Sequence, residues 1–406
     1  MTFENLGLSP RLAARLAEQG LTAPTPIQTQ AIPHALEGRD VLGLAQTGTG
    51  KTAAFGLPLI QALTAAGTHA APNTVLALIL APTRELAAQI VDSLRAFAGN
   101  GGSPRIGLVV GGKSINAQAN ALRRGTDILV ATPGRLIDLL DRKALTLGKA
   151  RYLVLDEADQ MLDLGFIHAL RRIAPLLPKE RQTMLFSATM PKQMSEIAGA
   201  YLTDPVRVQV SPPGKPADKV DQSVHFVAKD AKQALLIDLL DAHRDERALV
   251  FARTKHGAER LMKQLDRAGF AASSIHGNKS QGQRNRALDG FREGKVRVLV
   301  ATDVAARGID IPGVGYVYNY ELPNVPENYV HRIGRTARAG ADGRAVAFCG
   351  EEEMGELRDI EKVLGKPIAI AGGSPWQVAG GGKPGKPRGQ QPPRRRRSRR
   401  PARKAA

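Results

Sequence analysis

The chain of 406 residues is longer than one hydrophobic core usually organises, which predicts two domains and an additional segment. No stretch approaches the roughly 18 consecutive apolar residues of a membrane helix, and residues 1–5 lack the charged start of a secretory signal, so a membrane protein is not expected. The one cysteine, Cys349, excludes an internal disulfide and indicates a reducing, cytoplasmic environment.

Basic residues are in excess: 57 Lys and Arg stand against 38 Asp and Glu, a formal net charge of +19. Eleven of the basic residues and none of the acidic ones lie in residues 377–406, which leaves 46 minus 38, or +8, on the rest of the chain. A polyanion such as nucleic acid is the partner that this charge favours. From residue 372 onward Gly, Pro, Gln and Arg dominate, which is typical of a disordered tail.

The chain begins with two predicted amphipathic helices, at about residues 10–19 and 27–36. An apolar strand at 41–44 follows and leads into residues 45–52, whose sequence is Ala-Gln-Thr-Gly-Thr-Gly-Lys-Thr. A helix-prone stretch comes next. This order of strand, glycine turn and helix predicts a loop that cradles phosphate groups.

Each residue type in the phosphate loop has a chemical use. Gly48 and Gly50 allow backbone N–H groups to turn toward a bound polyphosphate, and the helix N-terminus adds its positive end. Lys51 can reach the outer phosphates and the hydroxyl of Thr52 can hold Mg²⁺. The usual pattern begins with Gly where this chain has Ala45, so a small-residue turn that binds no nucleotide is the alternative.

Downstream, apolar runs that predict buried strands alternate with helical stretches, at residues 75–80, 106–110, 128–130, 152–155 and 183–186. Such alternation predicts a parallel sheet with helices on both faces and functional groups at the carboxyl ends of the strands. The run at 152–155 leads directly into Asp156 and Glu157. A carboxylate that organises Mg²⁺ and one that activates water are expected at this place, and an ordinary acidic strand end is the alternative.

The alternation stops at the Pro-rich residues 211–216 and then resumes. Apolar runs lie at 248–252, 272–276, 296–301, 314–320 and 345–348. This second unit has no phosphate loop of its own. It is therefore predicted to be a similar α/β fold that uses the nucleotide of the first domain.

Over about residues 1 to 350 the sequence resembles the DEAD-box ATP-dependent RNA helicases. Besides the phosphate loop and the acidic strand end, the resemblance rests on short motifs in the family's order, at residues 82–87, 111–112, 132–135, 187–189, 301–310 and 331–338. The opening and the basic tail are similar to the bacterial RhlE-type subgroup.

The resemblance implies an α/β fold of two tandem RecA-like domains with a disordered basic C-terminal tail. It implies an adenine-recognition segment at 1–30, an ATP-binding domain at 31–206, a linker at 207–222, a C-terminal helicase domain at 223–371 and a tail at 372–406. ATP and Mg²⁺ are the implied cofactors and RNA is the implied partner. The pathway, with ribosome assembly and RNA decay both open, the partner proteins and the oligomeric state do not follow from it.

The residues that the resemblance assigns to the ATP site are Phe3, Gln28, Gln46, Thr47, Gly48, Thr49, Gly50, Lys51, Thr52 and Asp310. Gln28 matches the glutamine that selects adenine, since an amide offers one donor and one acceptor. Phe3 matches an aromatic residue that stacks on the base. The alternatives are a helix-surface position for Gln28 and a core position for Phe3.

Catalysis is assigned to Lys51, Asp156, Glu157, Arg335 and Arg338, with Thr52 and Asp156 as Mg²⁺ ligands, partly through water. The two arginines match residues that reach the γ-phosphate from the second domain, which makes hydrolysis depend on domain closure. Between them this chain has Ala337 where the family usually has Gly. We expect Ala337 to be helical, in which case alanine is harmless; a positive φ would instead mis-set the arginine.

Small, hydroxylic and cationic residues match positions that line the RNA path, namely Arg84, Gly112, Thr132, Arg135, Gly277, Gln281, Arg284, Thr302 and Arg307. Such groups suit contacts to phosphate and sugar, which position a strand without reading its bases. For each arginine a surface salt bridge is the alternative. Residues that match the coupling of hydrolysis to strand opening are Ser187, Thr189, Asp159 and His331.

The function implied is an RNA-stimulated ATPase that separates short RNA duplexes locally or remodels ribonucleoproteins. With only 4% aromatic residues the chain shows no platform for base stacking, which argues against sequence-specific recognition. An ATP-regulated RNA clamp or annealing chaperone is the alternative from another class. DNA unwinding shares the fold and is a third possibility.

Overall fold

The computed structural model describes residues 2–46, 48–99, 101, 104–210, 220–306, 313–337 and 342–376. Four predicted site residues, Thr47, Arg307, Asp310 and Arg338, lie outside the described residues. So do residues 211–219 of the predicted linker and 377–406 of the predicted tail.

The first domain is a sheet of seven parallel strands in the order β3-β4-β2-β5-β6-β1-β7. The strands are β1 (Val41–Leu44), β2 (Val75–Leu80), β3 (Ile106–Val109), β4 (Thr126–Ala131), β5 (Tyr152–Leu155), β6 (Gln182–Ser187) and β7 (Val206–Gln209). The helices are α1 (Pro10–Glu18), α2 (Pro26–Leu36), α3 (Lys51–Ala66), α4 (Arg84–Ala98), α5 (Ile115–Leu122), α6 (Pro133–Asp141), α7 (Ala158–Asp163), α8 (Ile167–Ile173) and α9 (Lys192–Tyr201). Short 3₁₀ turns lie at Glu4–Leu6 and Ala174–Leu176.

The second domain repeats this arrangement, with seven parallel strands in the order β10-β11-β9-β12-β13-β8-β14. Its strands are β8 (Val220–Phe226), β9 (Arg247–Phe251), β10 (Ala272–Ile275), β11 (Val298–Ala301), β12 (Val314–Asn319), β13 (Gly343–Cys349) and β14 (Ala369–Gly372). Its helices are α10 (Lys232–Asp241), α11 (Lys255–Arg267), α12 (Gln281–Arg292), α13 (Asp303–Ala306), α14 (Pro326–Ile333) and α15 (Met354–Leu364), with a 3₁₀ turn at Glu351–Glu353.

Helices cover both faces of each sheet, as the alternation of strands and helices predicts. In the first domain α1 to α4 pack on one face and α5 to α9 on the other, each over its own cluster of buried apolar side chains. In the second domain α10 and α11 cover one face and α12 to α15 the other. The prediction of two tandem RecA-like domains is confirmed.

Two predicted boundaries need correction. The linker predicted at 207–222 overlaps strands at both ends, because β7 runs to Gln209 and β8 begins at Val220. Both strands carry many partly exposed or polar residues, so neither forms the continuous apolar run by which the other strands were located. The tail predicted from 372 also begins later, since β14 includes Gly372 and the indole Nε1 of Trp376 donates to the Cys349 carbonyl at 3.1 Å.

Among the residues that the structure describes, no helix has the length and apolar character needed to cross a membrane.

Candidate functional site

The phosphate loop joins β1 to α3 as predicted. Gly48 and Gly50 have φ angles of 82° and 93°, in the left-handed region that glycine occupies at little cost. Gly50 also has no room for a side chain, because a Cβ atom there would lie 2.4 Å from Nε2 of Gln28. Helix α3 begins at the next residue, Lys51, so its N-terminal amides lie at the loop.

Helix α2 holds the phosphate loop through Thr25 and Gln28. The hydroxyl of Thr25 donates to the Thr49 carbonyl at 2.7 Å, and Nε2 of Gln28 donates to the Gly50 carbonyl at 3.0 Å. Oε1 of Gln28 accepts from the Thr25 amide at 2.9 Å, within the capping box of α2. Gln28 is only 5% exposed, so the alternative of a helix-surface residue is wrong. Its contact with adenine stays a prediction.

Phe3 lies in the hydrophobic core of the first domain and is 4% exposed. The structure therefore places it where the core alternative predicts. Stacking on a nucleotide base stays a prediction.

The acidic strand end lies beside the phosphate loop. Nζ of Lys51 is 3.7 Å from Oδ1 of Asp156, and both side chains are buried. Oδ1 of Asp156 also accepts from the Glu157 amide at 3.0 Å. Burial raises the pKa of both carboxyl groups above their ordinary values, and the charge of Lys51 opposes that rise. The fold thus brings together one ammonium and two carboxylates from elements that are far apart in the chain.

Glu157 has two features of a residue held for chemistry. Its φ angle is 50°, a left-handed conformation that is costly for a residue other than glycine. Both of its carboxylate oxygens are buried and have no hydrogen-bond partner within the described structure. A buried acceptor without a partner is costly, which is consistent with a water or ligand being its partner in the working enzyme.

The residues at this site fit a divalent cation bound together with phosphate. Three carboxylates, those of Asp156, Glu157 and Asp159, stand against two cationic groups, Lys51 and Arg335, so the protein groups alone leave an excess negative charge. Thr52 follows Lys51 in the first turn of α3. Mg²⁺ usually keeps several waters and is bound through one or two carboxylates together with substrate phosphates, which matches this set of groups.

Asp159 joins the acidic strand end to the loop after β6. One of its oxygens, Oδ2, accepts from the amides of Ala188 and Thr189 at 3.0 and 2.9 Å and from the Thr189 hydroxyl at 3.1 Å. The Ser187 hydroxyl donates to the Thr189 carbonyl at 2.7 Å. Thr189 and Gln46 line a small cavity with His331 of the second domain. Three of the four predicted coupling residues, Ser187, Thr189 and Asp159, are therefore linked by hydrogen bonds, and the coupling role stays a prediction.

Arg335 enters the same site from the second domain. It is 4% exposed, and its charge lowers the pKa of Glu157 in the first domain. Residues of both domains therefore act on the same buried carboxylate, and the catalytic role of Arg335 stays a prediction.

The expectation that Ala337 is helical is wrong. Helix α14 ends at Ile333, and Ala337 has a φ of 54°. The turn after α14 lies tightly against the start of β13, since a Cβ atom on Gly343 would be 2.5 Å from the Ala337 amide. Alanine in the left-handed region costs roughly 1–2 kcal/mol. Arg335, two residues earlier, is nevertheless buried.

Three residues predicted to line the RNA path lie at a contact between the domains around Glu85, and their contact with RNA stays a prediction. Nε of Arg284 lies 2.9 Å from Oε1 of Glu85, an ionic contact without aligned hydrogen-bond geometry. Nε2 of Gln281 donates to the same oxygen at 3.0 Å, and Nη1 of Arg84 donates to Oε1 of Gln281 at 3.3 Å. We call these four residues the interdomain clamp. Its acceptor, Glu85, was missed although it lies within the motif at 82–87.

The other predicted RNA-path residues of the first domain lie at neighbouring strand ends. Gly112 has a φ of 77° and lies under Arg84, because a Cβ atom there would be 2.3 Å from Nη1. Thr132 is the N-cap of α6, and Nη1 of Arg135 donates to the Lys113 carbonyl at 2.8 Å. These residues share one edge of the sheet, which is the arrangement that an RNA path requires.

In the second domain Gly277 follows β10 and Thr302 follows the adjacent strand β11. Gly277 is exposed, whereas Thr302 is buried and its amide donates to the Ile275 carbonyl at 3.3 Å. Both therefore lie at the carboxyl edge of the second sheet.

Comparison with known proteins agrees with this geometry. The DEAD/DEAH box helicase model matches residues 25–197, and the helicase conserved C-terminal domain model matches residues 231–340. The DEAD-box ATP-dependent RNA helicase CshA of Bacillus cereus (strain ATCC 10987) is 45% identical over 361 residues, which cover 89% of this chain and 68% of that protein. The ATP-dependent rRNA helicase rrp3 of Aspergillus terreus is 47% identical over 368 residues, which cover 90% and 81%.

Solved structures agree as well. Dbp5 of S. cerevisiae bound to RNA and ADP BeF3 is 32% identical, with a TM-score of 0.81 over 91% of this chain and 95% of that one. Mss116p bound to ssRNA and AMP-PNP is 29% identical, with a TM-score of 0.83 over 93% and 80%.

The fold and the comparisons define the class of ATPases that are built from two tandem RecA-like domains. This chain belongs to the family of DEAD-box ATP-dependent RNA helicases.

Proposed function

We propose that this chain hydrolyses ATP in a pocket completed by both domains, and that RNA bound across both domains drives their closure and is locally strained by it. The observation that carries the proposal is the cavity that Gln46 and Thr189 of the first domain line together with His331 of the second domain. Hydrolysis then reopens the cleft and releases the separated strand. Short RNA duplexes or ribonucleoproteins are the substrates.

Each residue of the pocket has a role that follows from its placement. The amides of the phosphate loop and Lys51 bind the phosphate groups, and Thr52 with Asp156 would hold Mg²⁺, which supplies charge neutralisation when bound. Glu157, buried and without a hydrogen-bond partner among the described residues, positions the attacking water and accepts its proton. Arg335 stabilises the charge that develops as the phosphoryl group departs. Arg338 is proposed to act beside it.

Adenine recognition is proposed for Gln28, with Phe3 and Asp310 contacting the base and the ribose. In the structure Gln28 holds the Gly50 carbonyl, so a bound nucleotide has to share or replace this hydrogen bond. Occupancy of the adenine site would then be transmitted directly to the phosphate loop. The remaining loop residues, Gln46, Thr47 and Thr49, line the phosphate groups.

RNA is proposed to lie across the carboxyl edges of both sheets, held through phosphates and 2′-hydroxyl groups. The residues that support this path are Arg84, Gly112, Thr132, Arg135, Gly277, Gln281, Arg284, Thr302 and Arg307. The interdomain clamp would then join the two halves of the path, since Arg84, Gln281 and Arg284 belong to both.

The decisive experiment uses Glu157→Gln, which keeps the size of the side chain and removes its charge and basicity. This variant is expected to retain ATP-dependent RNA binding in a filter or anisotropy assay while ATP turnover falls by at least about a hundredfold, the usual contribution of a general base. Normal hydrolysis by this variant would remove Glu157 from its role.

A second activity, strand annealing, is favoured by the eleven Lys and Arg of residues 377–406, which can neutralise phosphates of two strands. Because Trp376 packs on the second domain, the truncation that spares the fold ends after this residue. Loss of annealing with duplex separation retained would place the two activities in different parts of the chain. For each phosphate that the removed segment neutralised, the slope of log affinity against log salt should also fall by roughly 0.7 to 0.9.

The finer assignments are proposals as well. The Bacillus relative is named CshA, so the RhlE-type subgroup rests only on the opening and the basic tail. We propose a cytoplasmic location from the reducing environment that one cysteine indicates. The domain limits are proposed at 31–209 and 220–376, which revises the boundaries implied by the resemblance to fit the observed strands.

A further inference from the structure

A groove runs along the outer edge of the first sheet, away from the nucleotide site. Strand β3 is the last strand of this sheet and pairs only with β4 among the described strands. Helix α5 flanks it, and the space between them has a volume of about 410 Å³. All four residues of β3 line this space, which we call the edge groove.

The edge groove is deep because the facing residues of α5 are small. Ala117 and Ala121 are separated by one helical turn, and both are exposed and line the groove with only methyl groups. At one end the amide of Gln118 closes the groove by pairing with both backbone groups of Val110, at 2.8 and 3.2 Å. Over Ile106–Val109, no described strand pairs with the side of β3 that faces away from β4.

The groove has a positive rim at both ends and no acidic residue in its lining. Lys113 lies at the end nearest the proposed RNA path, and Arg105 and Arg124 lie at the opposite end. Arg105 is paired with Asp127 at 3.1 Å. The side chains of Lys113 and Arg124 are exposed and form no ion pair with any residue that the structure describes.

We propose that the edge groove binds an extended segment of a partner protein in which two acidic residues flank an apolar one at alternate positions, so that all three side chains lie on one face of the segment. The segment adds to β3 as an outer strand, so that its main chain uses the unpaired edge and its apolar side chains enter the groove. Strand β3 spans about 13 Å, at roughly 3.3 Å per residue. Acidic side chains four positions apart would therefore lie near Lys113 and Arg124.

Two other occupants fit the groove less well. The C-terminal residues 377–406 have eleven basic residues and no acidic ones, so the rim repels them. A single RNA strand would suit the rim but not the floor, because no aromatic side chain lines the groove and bases bind such surfaces mainly by stacking. A peptide with acidic and apolar residues matches all three features of the groove. Its carboxylates suit the basic rim, its apolar side chains suit the lining, and its main chain can pair with the edge of β3.

The test uses the full-length chain and a fluorescein-labelled peptide containing Glu-Thr-Val-Thr-Glu, in which both Glu and the Val share one face, with a matched peptide in which both Glu are Lys. We expect micromolar binding of the acidic peptide by anisotropy and none of the basic one. Ala121→Trp, which fills the groove from an exposed helix position, should weaken binding at least about tenfold, a change of roughly 1.4 kcal/mol. Asn120→Trp, exposed on the same helix outside the groove, is the matched control and should bind normally.

Hydrogen exchange distinguishes strand addition from simple attraction to the rim. The amides of Ile106–Val109 should become protected by the acidic peptide in the wild-type chain and not in Ala121→Trp. RNA-stimulated ATPase activity should be the same in both tryptophan variants, which shows that both are folded.

The proposal is overturned if the acidic peptide does not bind, or binds equally well to Ala121→Trp. Binding without protection of β3 would also overturn it, since the peptide would then contact the rim alone. Competition by an RNA oligonucleotide that is itself abolished in Ala121→Trp would identify the groove as an RNA surface. Self-association that Ala121→Trp abolishes, measured by sedimentation, would identify the occupant as a second copy of this chain.

Discussion

Oε1 of Glu85 in the first domain lies 2.9 Å from Nε of Arg284 in the second. The same oxygen accepts from Gln281, and Glu85 is only 7% exposed, so the interdomain clamp places a buried carboxylate between two groups of the other domain. This contact exists only when the domains are together. The clamp therefore contributes to the free energy of closure and not to the stability of either domain alone.

Glu85→Gln should weaken closure while leaving both domains folded. Truncating one partner of a buried charge pair costs about 2–5 kcal/mol, and here the cost falls on the closed state only. We expect the apparent affinity for RNA in the presence of ATP to fall at least about tenfold, with little change in Tm. Glu293→Gln, whose exposed carboxylate pairs with Lys295, is the control for loss of a carboxylate. A large fall in Tm with unchanged RNA affinity would contradict this role.

Ala337→Gly should stabilise the second domain. Alanine at a φ of 54° carries a cost that glycine avoids, so the free energy of unfolding should rise by roughly 1 kcal/mol. For a domain of this size the expected rise in Tm is about 2–4 °C. Ala14→Gly, exposed within α1, is the matched control and should lower stability by roughly 0.5–1 kcal/mol. Thermal unfolding of both variants tests whether Ala337→Gly raises the Tm and Ala14→Gly lowers it.

Glu353 and Lys232 form a buried ion pair in the second domain, and the two partners should differ in their effect on stability. Glu353 also accepts from Arg253 at 3.1 Å and from the amides of Leu322 and Gly350, each at 3.0 Å. The carboxylate of Glu353 is the only acidic group within ion-pair distance of Lys232 among the described residues.

Glu353→Gln therefore leaves a buried ammonium uncompensated and should cost about 3–5 kcal/mol of unfolding free energy. Lys232→Met, which removes the ammonium and leaves Glu353 paired with Arg253, should cost clearly less. Urea unfolding of both variants measures the difference. If both variants lose the same unfolding free energy, the cost of Glu353→Gln does not come from an uncompensated Lys232 ammonium.

Asp127 should make stability depend on pH in the acidic range. Burial alone would raise its pKa, but hydrogen bonds from Arg105, the Ala70 amide and His69 outweigh burial and lower the pKa from 3.8 to about 2. Because the folded-state pKa is the lower one, the stabilisation is present above pH 3.8 and is lost as the pH falls toward 2.

At pH 7 the unfolding free energy of Asp127→Asn should therefore be about 2 kcal/mol lower than that of the wild type. This follows because a pKa difference of one unit corresponds to about 1.36 kcal/mol. The difference in unfolding free energy between the two proteins should decrease as the pH falls below 4, down to the lowest pH at which both remain folded. Urea unfolding at pH 7, 5, 4 and 3 measures it. If this difference in unfolding free energy stays constant down to pH 3, the charge of Asp127 does not cause it.

Much of the nucleotide site could be predicted because its signals are local. The glycines of the phosphate loop, the apolar strand before Asp156 and the helix that begins at Lys51 all follow from short-range patterns. The capping box of Thr25 and Gln28 was not predicted, although Thr followed three residues later by Gln is its signature.

Residues were missed where a contact joins distant parts of the chain. Glu85 and Gln281 are 196 positions apart, and no local pattern states that one accepts a hydrogen bond from the other. Ala337 was mispredicted for a related reason. Its residue type favours a helix, but the close approach of β13 decides the turn, since tertiary context overrides an intrinsic preference of less than about 1 kcal/mol.

The order of strands and helices, the phosphate loop and the basic tail were determined by the sequence itself, because periodicity, glycine placement and charge act over a few residues. The tertiary structure alone decided the burial of Gln28, the clamp around Glu85 and the conformation of Ala337. Each of these depends on which surfaces of two folded domains meet, and that is settled by packing over the whole chain.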